Sequence, residues 1–80
     1  MVLAADLHAR PAGLLVRTAA RYTAEVELSA GGRTARASSV LEIMALGARA
    51  GATVTVRGRG SDAEAAVGAL AELLREVGAG

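Results

Sequence analysis

Apolar positions along the chain change period in a regular way, and each change marks an element. Ala12, Leu15, Val16 and Ala19 recur at helical spacing, which predicts a first helix from about Ala9 to Arg21. Its other face carries Arg10, Gly13, Leu14, Arg17 and Arg21. Ala24–Leu28 and Arg33–Ala37 alternate apolar and charged residues around Ala30-Gly31-Gly32, the grammar of a β-hairpin with one wet face. Ser39-Val40-Leu41-Glu42 reads as a capping box opening a short helix that stops at Gly47. Ala52–Arg57 alternates again as a strand. Ser61-Asp62-Ala63-Glu64 reads as a second capping box, leading a helix with Ala63, Val67, Leu70, Leu74 and Val77 inward and Gly78 as its stop.

With a short extended start over Met1–Ala5, the predicted order is β-α-β-β-α-β-α, a two-layer α/β (α+β) domain. Eighty residues form a single domain, 1–80, of no more than two packed layers. Val40, Leu41, Ile43, Met44 and Leu46 make the middle helix apolar nearly all round. Two turns cannot bury all of these against one sheet, so part of that patch is expected to face outward.

Composition narrows the classes. Hydrophobic residues make up 52% of the chain, yet Phe and Trp are absent and Tyr22 is the only aromatic, so small side chains must pack closely. No cysteine is present, which excludes a disulfide framework or thiolate metal site. No apolar stretch is long enough to span a membrane, and a cytoplasmic protein without direct membrane insertion is expected. The net charge of +1 gives little bulk attraction to nucleic acid. Arg33, Arg36, Arg57 and Arg59 fall on the sheet without an aromatic platform, so no nucleic-acid partner is expected. One histidine and scattered carboxylates supply no paired acid/base or metal constellation, which argues against a free-standing enzyme.

The single histidine is the strongest chemical signal. His8 lies in Leu7-His8-Ala9-Arg10-Pro11-Ala12, where Pro11 belongs to the first turn of a helix and puts the N-cap near His8. The free amides of Ala9 and Arg10, the positive end of the helix dipole and the Arg10 guanidinium then converge beside one imidazole. Neutral imidazole is a competent nucleophile, and the negative charge of a phosphoryl group would be met by these donors. A histidine so placed suits accepting a phosphoryl group.

Leu7-His8-Ala9-Arg10-Pro11-Ala12, then Ser39-Val40-Leu41-Glu42-Ile43-Met44-Ala45-Leu46-Gly47 and the closing Ser61-Asp62-Ala63-Glu64 helix carry a resemblance across essentially the whole chain. It resembles HPr, the histidine-containing phosphocarrier family of the bacterial phosphoenolpyruvate:sugar phosphotransferase system. The resemblance implies an open-faced β-sandwich with a four-stranded antiparallel sheet and helices on one side. It also implies that His8 takes a phosphoryl group on Nδ1 from enzyme I and passes it to an EIIA domain. Arg10 would be the active-centre arginine, and Gly13, Leu14, Arg17, Val40, Leu41 and Met44 would dock partners. Ser39 falls on the family's regulatory serine, the target of HPr kinase, although Ser39 and Glu42 as a capping box already account for the hydroxyl. No metal or cofactor is implied, and a monomer is the simplest state for a protein that docks partners in turn. The alternative is a regulatory module whose middle helix docks a transcription regulator or enzyme.

Three positions depart from the family pattern. Asp6 replaces a usual Gly, placing a carboxylate beside the histidine and any phosphoryl group. Glu42 stands where Gly or a basic residue is common, and Ala45 replaces a common Ser or Thr. The stretch before the active loop is several residues shorter than in the family. The first strand is therefore expected to be a stub: either translation begins upstream, or an edge strand is truncated and leaves its neighbour, Thr53–Arg57, less well covered.

Overall fold

The computed structural model describes residues 1–3 and 5–77 of the chain. Helix α1 spans Ala9–Ala19, strand β1 Glu25–Ala30, β2 Arg33–Arg36, helix α2 Val40–Ala45, β3 Thr55–Arg59 and α3 Ala63–Val77. The strands form one antiparallel sheet in the order β2-β1-β3.

The hairpin forms as its sequence predicts. Ala30 pairs with Arg33 across Gly31 and Gly32, whose φ angles of 57° and 77° are those of a two-residue turn with both central residues left-handed. From this turn the register follows. Leu28 faces Ala35 on one side and Val56 on the other, while Glu27 faces Arg36 and Arg57. The first set points into the core and the second into solvent, so helices cover only one face.

Helix α3 packs on β1 and β3, α2 packs on β2, and α1 packs on both of these helices. Leu15, Leu28, Ile43, Val54, Leu70 and Leu74 are the largest fully buried side chains, an aliphatic core to which the lone aromatic, Tyr22, adds only from its margin. α1 buries Ala12, Leu15 and Ala19, as its period requires. It ends at Ala19 rather than Arg21. Ala20 still bonds back to Val16, but Arg21 and Tyr22 bond only three residues back, tightening the chain out of the helix. On α3 the fully buried residues are Ala66, Leu70 and Leu74, with Ala63 and Val67 half-buried. The expected inward side chain of Val77 and the stop at Gly78 lie outside the described residues.

The expected fourth strand is not formed among the described residues. Val2 makes a single antiparallel bridge to Thr53, supported by Leu3 N–H to Ala52 O at 2.8 Å and Val54 N–H to Met1 O at 2.6 Å. This bridge lies just before β3, and β3, Thr55–Arg59, stands at the end of the described sheet order. β3 itself lies later than the expected Ala52–Arg57. Its ladder with β1 begins at Ser29–Thr55 and runs to Glu25–Arg59, because Gly58 lets the strand continue under α3. A Cβ at Gly58 would stand 2.8 Å from Val67 Cγ2 and 3.3 Å from the Ala63 Cβ.

The second capping box is also corrected. Ala66 N–H bonds to Asp62 O, so Asp62 precedes the first helical residue, and Ser61 and Glu64 are one position out of register for reciprocal capping. The Asp62 carboxylate instead accepts the N–H groups of Thr23 (2.9 Å) and Ala24 (2.8 Å), tying the start of α3 to the entry of β1.

Two outcomes follow from this packing. Gly68 lies inside α3 with open space around it, so Gly68→Ala is expected to stabilise the protein by about 0.5–1 kcal/mol. Gly58→Ala, which pushes a strand off a helix, is expected to cost about 1–3 kcal/mol. Urea midpoints measure both, and equal effects of one sign would mean that Gly58 does not set the layer spacing. The second outcome concerns acid. The Asp62 carboxyl is held below the ordinary aspartate range, chiefly by the Thr23 N–H with the Ala24 N–H adding, against desolvation. A folded-state pKa below the unfolded one means a contribution present above the ordinary aspartate value and lost as pH falls through the folded value. The stability gap between wild type and Asp62→Asn should therefore be largest near neutral pH and close on acidification. A gap independent of pH would refute this role.

Candidate functional site

His8 is the N-cap of α1, with φ −81° and ψ −178°, and its carbonyl accepts the first helical bond, from Ala12 N–H at 3.0 Å. Its side chain makes no capping bond and is 79% exposed. Pro11 has no N–H to give, so Ala9 and Arg10 hold the unclaimed amides of the first turn, without a partner among the described residues. Arg10 is exposed, and its guanidinium has no ion-pair partner there either. The first turn of this eleven-residue helix thus carries one exposed imidazole and, without a partner among the described residues, two amides and one guanidinium, at the positive end of the helix dipole.

The loop before His8 is held from outside. Leu7 is buried, and its N–H bonds to Ala48 O at 3.0 Å. One Asp6 carboxylate oxygen accepts Ala50 N–H at 2.7 Å, and the other lies 3.7 Å from His8 Nε2. His8 N–H turns back to Asp6 O at 3.2 Å. Ala48 and Ala50 therefore belong to the site's support. Sequence reasoning passed over them because they act through the main chain, which leaves no mark in residue type.

The second motif packs beside the first through α1 and α2. Ile43 and Leu46 are buried, Val40 is half-buried, and Leu41 and Met44 are 80% and 43% exposed, so the expected outward patch is present. On α1, Gly13 and Leu14 are half-buried and Arg17 is exposed. A Cβ at Gly13 would meet nothing within 4 Å, so this residue flattens the surface without serving the packing.

Ser39 caps α2, its Oγ accepting Glu42 N–H at 3.2 Å. The reciprocal half of the expected box is missing. The Glu42 carboxylate accepts Arg36 N–H at 2.9 Å and Arg36 Nε–H at 2.8 Å, and also binds Arg36 Nη2. Glu42 is thus folded back on β2. This pairing holds its carboxyl below the ordinary range and raises the Arg36 guanidinium.

The wet sheet face alternates in sign. Glu27 sits in register between Arg36 and Arg57, and Glu25 binds Arg59 at 2.9 Å. A concavity of about 1080 Å³ lined by Val16, Tyr22, Ala24, Arg36, Ser38 and Arg57, among others, includes neither His8 nor Arg10. The chemistry sits on open surface, suited to docking rather than to enclosing a small molecule. Among the described residues no three His, Cys, Asp or Glu side chains gather to hold a metal, and no helix is long and apolar enough to cross a membrane.

The domain is a small two-layer α+β fold with its lone histidine exposed at a helix N-terminus beside an apolar rim, and its relatives give its class as a phosphocarrier, a protein that takes up a phosphoryl group and hands it on. The family model "PTS HPr component phosphorylation site" matches residues 1–76, and the chain belongs to this HPr family of the phosphotransferase system. The phosphocarrier protein HPr from Bacillus anthracis str. Ames is 39% identical, with a TM-score of 0.85, over 94% of this chain and 89% of that one. HPr from Thermoanaerobacter tengcongensis is 33% identical, with a TM-score of 0.86, over 95% and 85%. The Bacillus subtilis catabolite repression protein Crh, described as a swapped, intertwined dimer, is 36% identical, with a TM-score of 0.83, over 90% and 83%. The protein is a phosphocarrier of the phosphotransferase relay and not an enzyme, and the regulatory-module alternative is not favoured.

Loss of the Ser39 cap should be measurable. Ser39→Ala is expected to lower stability by about 0.5–2 kcal/mol in urea unfolding. An unchanged midpoint would mean that the Ser39–Glu42 bond contributes nothing.

Proposed function

We propose that His8 is the residue that carries the phosphoryl group, receiving it on Nδ1 from phosphorylated enzyme I and yielding it to EIIA domains in the cytoplasm. The observation that carries this reading is an exposed imidazole at the N-cap of α1, followed directly by the Ala9 and Arg10 amides and an Arg10 guanidinium that have no partner among the described residues.

In this reading the Nδ1 lone pair forms the bond to phosphorus as the donor's bond to it breaks, and the donor keeps that electron pair. The phosphoryl oxygens bring negative charge to the end of α1, where the two amides and the Arg10 fork accept it through charge-assisted hydrogen bonds. Because the site is open, these bonds compete with water and hold the group only moderately. That suits a carrier, which must release what it binds. Positioning and electrostatics do most of the work in phosphoryl transfer, and a docked partner excludes water and completes the site. Gly13, Leu14, Arg17, Val40, Leu41 and Met44 form the docking surface in this reading, an apolar patch with a basic margin that fits partners with apolar, acidic faces. Ser39 acts as a helix cap rather than a regulatory phosphosite, since its Oγ already serves the helix by accepting the Glu42 N–H. The carrier docks as a monomer.

Intact mass after incubation with phosphoenolpyruvate and enzyme I tests this. One acid-labile phosphoryl group is expected on the wild type and none on His8→Ala. Arg10→Ala should still be modified, but roughly tenfold more slowly, the scale of one charge-assisted hydrogen bond. Phosphoryl uptake by His8→Ala would overturn the assignment.

A further inference from the structure

Asp6 is a local oddity with a defined geometry. Its backbone and side chain both face the active loop, and one carboxylate serves two masters. Oδ1 accepts Ala50 N–H at 2.7 Å, a bond that fixes the plane of the carboxylate from the neighbouring loop. Oδ2 is thereby left pointing at the His8 ring, 3.7 Å from Nε2. The backbone that carries the ring is held beside it, because Leu7 is anchored in the core and to Ala48 O, and His8 N–H is bonded to Asp6 O.

We propose that Asp6 is a positioning residue for His8: its carboxylate holds the imidazole proton on Nε2 and so presents the Nδ1 lone pair for phosphoryl transfer. The proposal rests on the reading of His8 as the phosphoryl acceptor. A neutral imidazole carries one proton, on either nitrogen, and an ionised carboxylate can only accept a hydrogen bond. The tautomer protonated on Nε2 is therefore the one that Asp6 favours, and the group that orients one ring nitrogen determines which form the other takes. At 3.7 Å the contact in the resting protein is longer than a formed hydrogen bond and is electrostatic, within the reach of one once charge develops on the ring.

Charge does develop in the transfer. When the Nδ1 lone pair bonds to phosphorus and the donor departs with its electron pair, the ring keeps its Nε2 proton and becomes cationic. The Asp6 carboxylate stands against that new positive charge, on the side of the ring away from the phosphoryl group. In the reverse step the same proton leaves the imidazole a neutral leaving group as the N–P bond breaks. Asp6 touches neither phosphorus nor Nδ1 and acts only through the ring.

Two variants separate positioning from loop anchoring. Asp6→Asn keeps a carbonyl oxygen for Ala50 N–H but turns an NH₂ donor toward Nε2, which favours a lone pair there and the proton on Nδ1. Asp6→Gly removes both contacts. Long-range ¹H–¹⁵N NMR of the neutral His8 ring reads the two tautomers directly, without enzyme I or phosphoenolpyruvate. The ratio of the Nε2-protonated to the Nδ1-protonated form is expected to fall about two- to fivefold in Asp6→Gly, the scale of an exposed ionic contact, and further in Asp6→Asn. An Ala50 amide resonance unchanged in Asp6→Asn shows that the anchor is retained. A ratio identical in all three proteins overturns the proposal. Because the readout needs no phosphoryl donor, failure of the wild type to be phosphorylated on His8 would overturn the acceptor assignment while leaving the tautomer result separately legible.

Discussion

Everything in this domain hangs on how closely a sheet and its helices can approach when no large aromatic side chain separates them. The answer is set at Gly58, where β3 runs against Ala63 and Val67 of α3 with no room for a methyl group. With that spacing, six aliphatic side chains from both layers and the connecting segments close the core. Interiors pack as densely as crystals, so thin layers demand small residues at the crossing points. The abundance of alanine is the other face of the same constraint: Ala12, Ala35, Ala37 and Ala66 are fully buried where bulkier side chains would hold the layers apart.

That core also aims the site. Ala12 and Leu15 fix α1 by its buried face, and the helix then presents its first turn at the edge of the domain. The loop before it alternates sharply: Leu7 is inside, His8 outside, Asp6 between. A buried leucine next to an exposed histidine converts core stability into a defined position for a surface group. The main-chain bonds to Ala48 and Ala50 add a second point of attachment, so the imidazole projects from a backbone held on both sides even though its ring touches little.

Much of this was legible in the chain. The period of Ala12, Leu15, Val16 and Ala19 announced α1, Pro11 located its start, and two adjacent glycines specified the hairpin turn. Residues of the middle helix too numerous to bury announced the exposed Leu41 and Met44. What was not legible depended on partners distant in sequence or on register. Ser39 and Glu42 have the spacing of a reciprocal cap, but Arg36 offers the carboxylate charge-assisted hydrogen bonds from both main chain and side chain, and these outcompete a single neutral amide. Ser61 and Glu64 have the same spacing, yet the helix begins one residue later than a box needs. Gly58 looks like a strand breaker in sequence, and only the approach of α3 explains why it lies inside one. Asp6 marked a departure from the family pattern, but nothing in the residue types of the 47–51 loop indicated that a main-chain amide there would hold it.

The division of labour between core and site has a chemical consequence. The donors that would meet a phosphoryl group are the ones the fold leaves unemployed: the Ala9 and Arg10 amides bond to nothing among the described residues, and the Arg10 guanidinium pairs with nothing there. By contrast, the carboxylates of Glu42 and Asp62 are committed to donors elsewhere in the fold, and one oxygen of Asp6 to Ala50 N–H. Hydrogen bonds already made inside the protein would have to be broken before a ligand could use them, raising the cost of binding by the strength of each. Free donors at the end of a rigid helix carry no such cost, and in water they also bind no ligand very tightly. Readiness without tight grip is what a carrier in a relay requires. It is obtained here by keeping the reactive end of α1 out of the network that stabilises the rest of the chain.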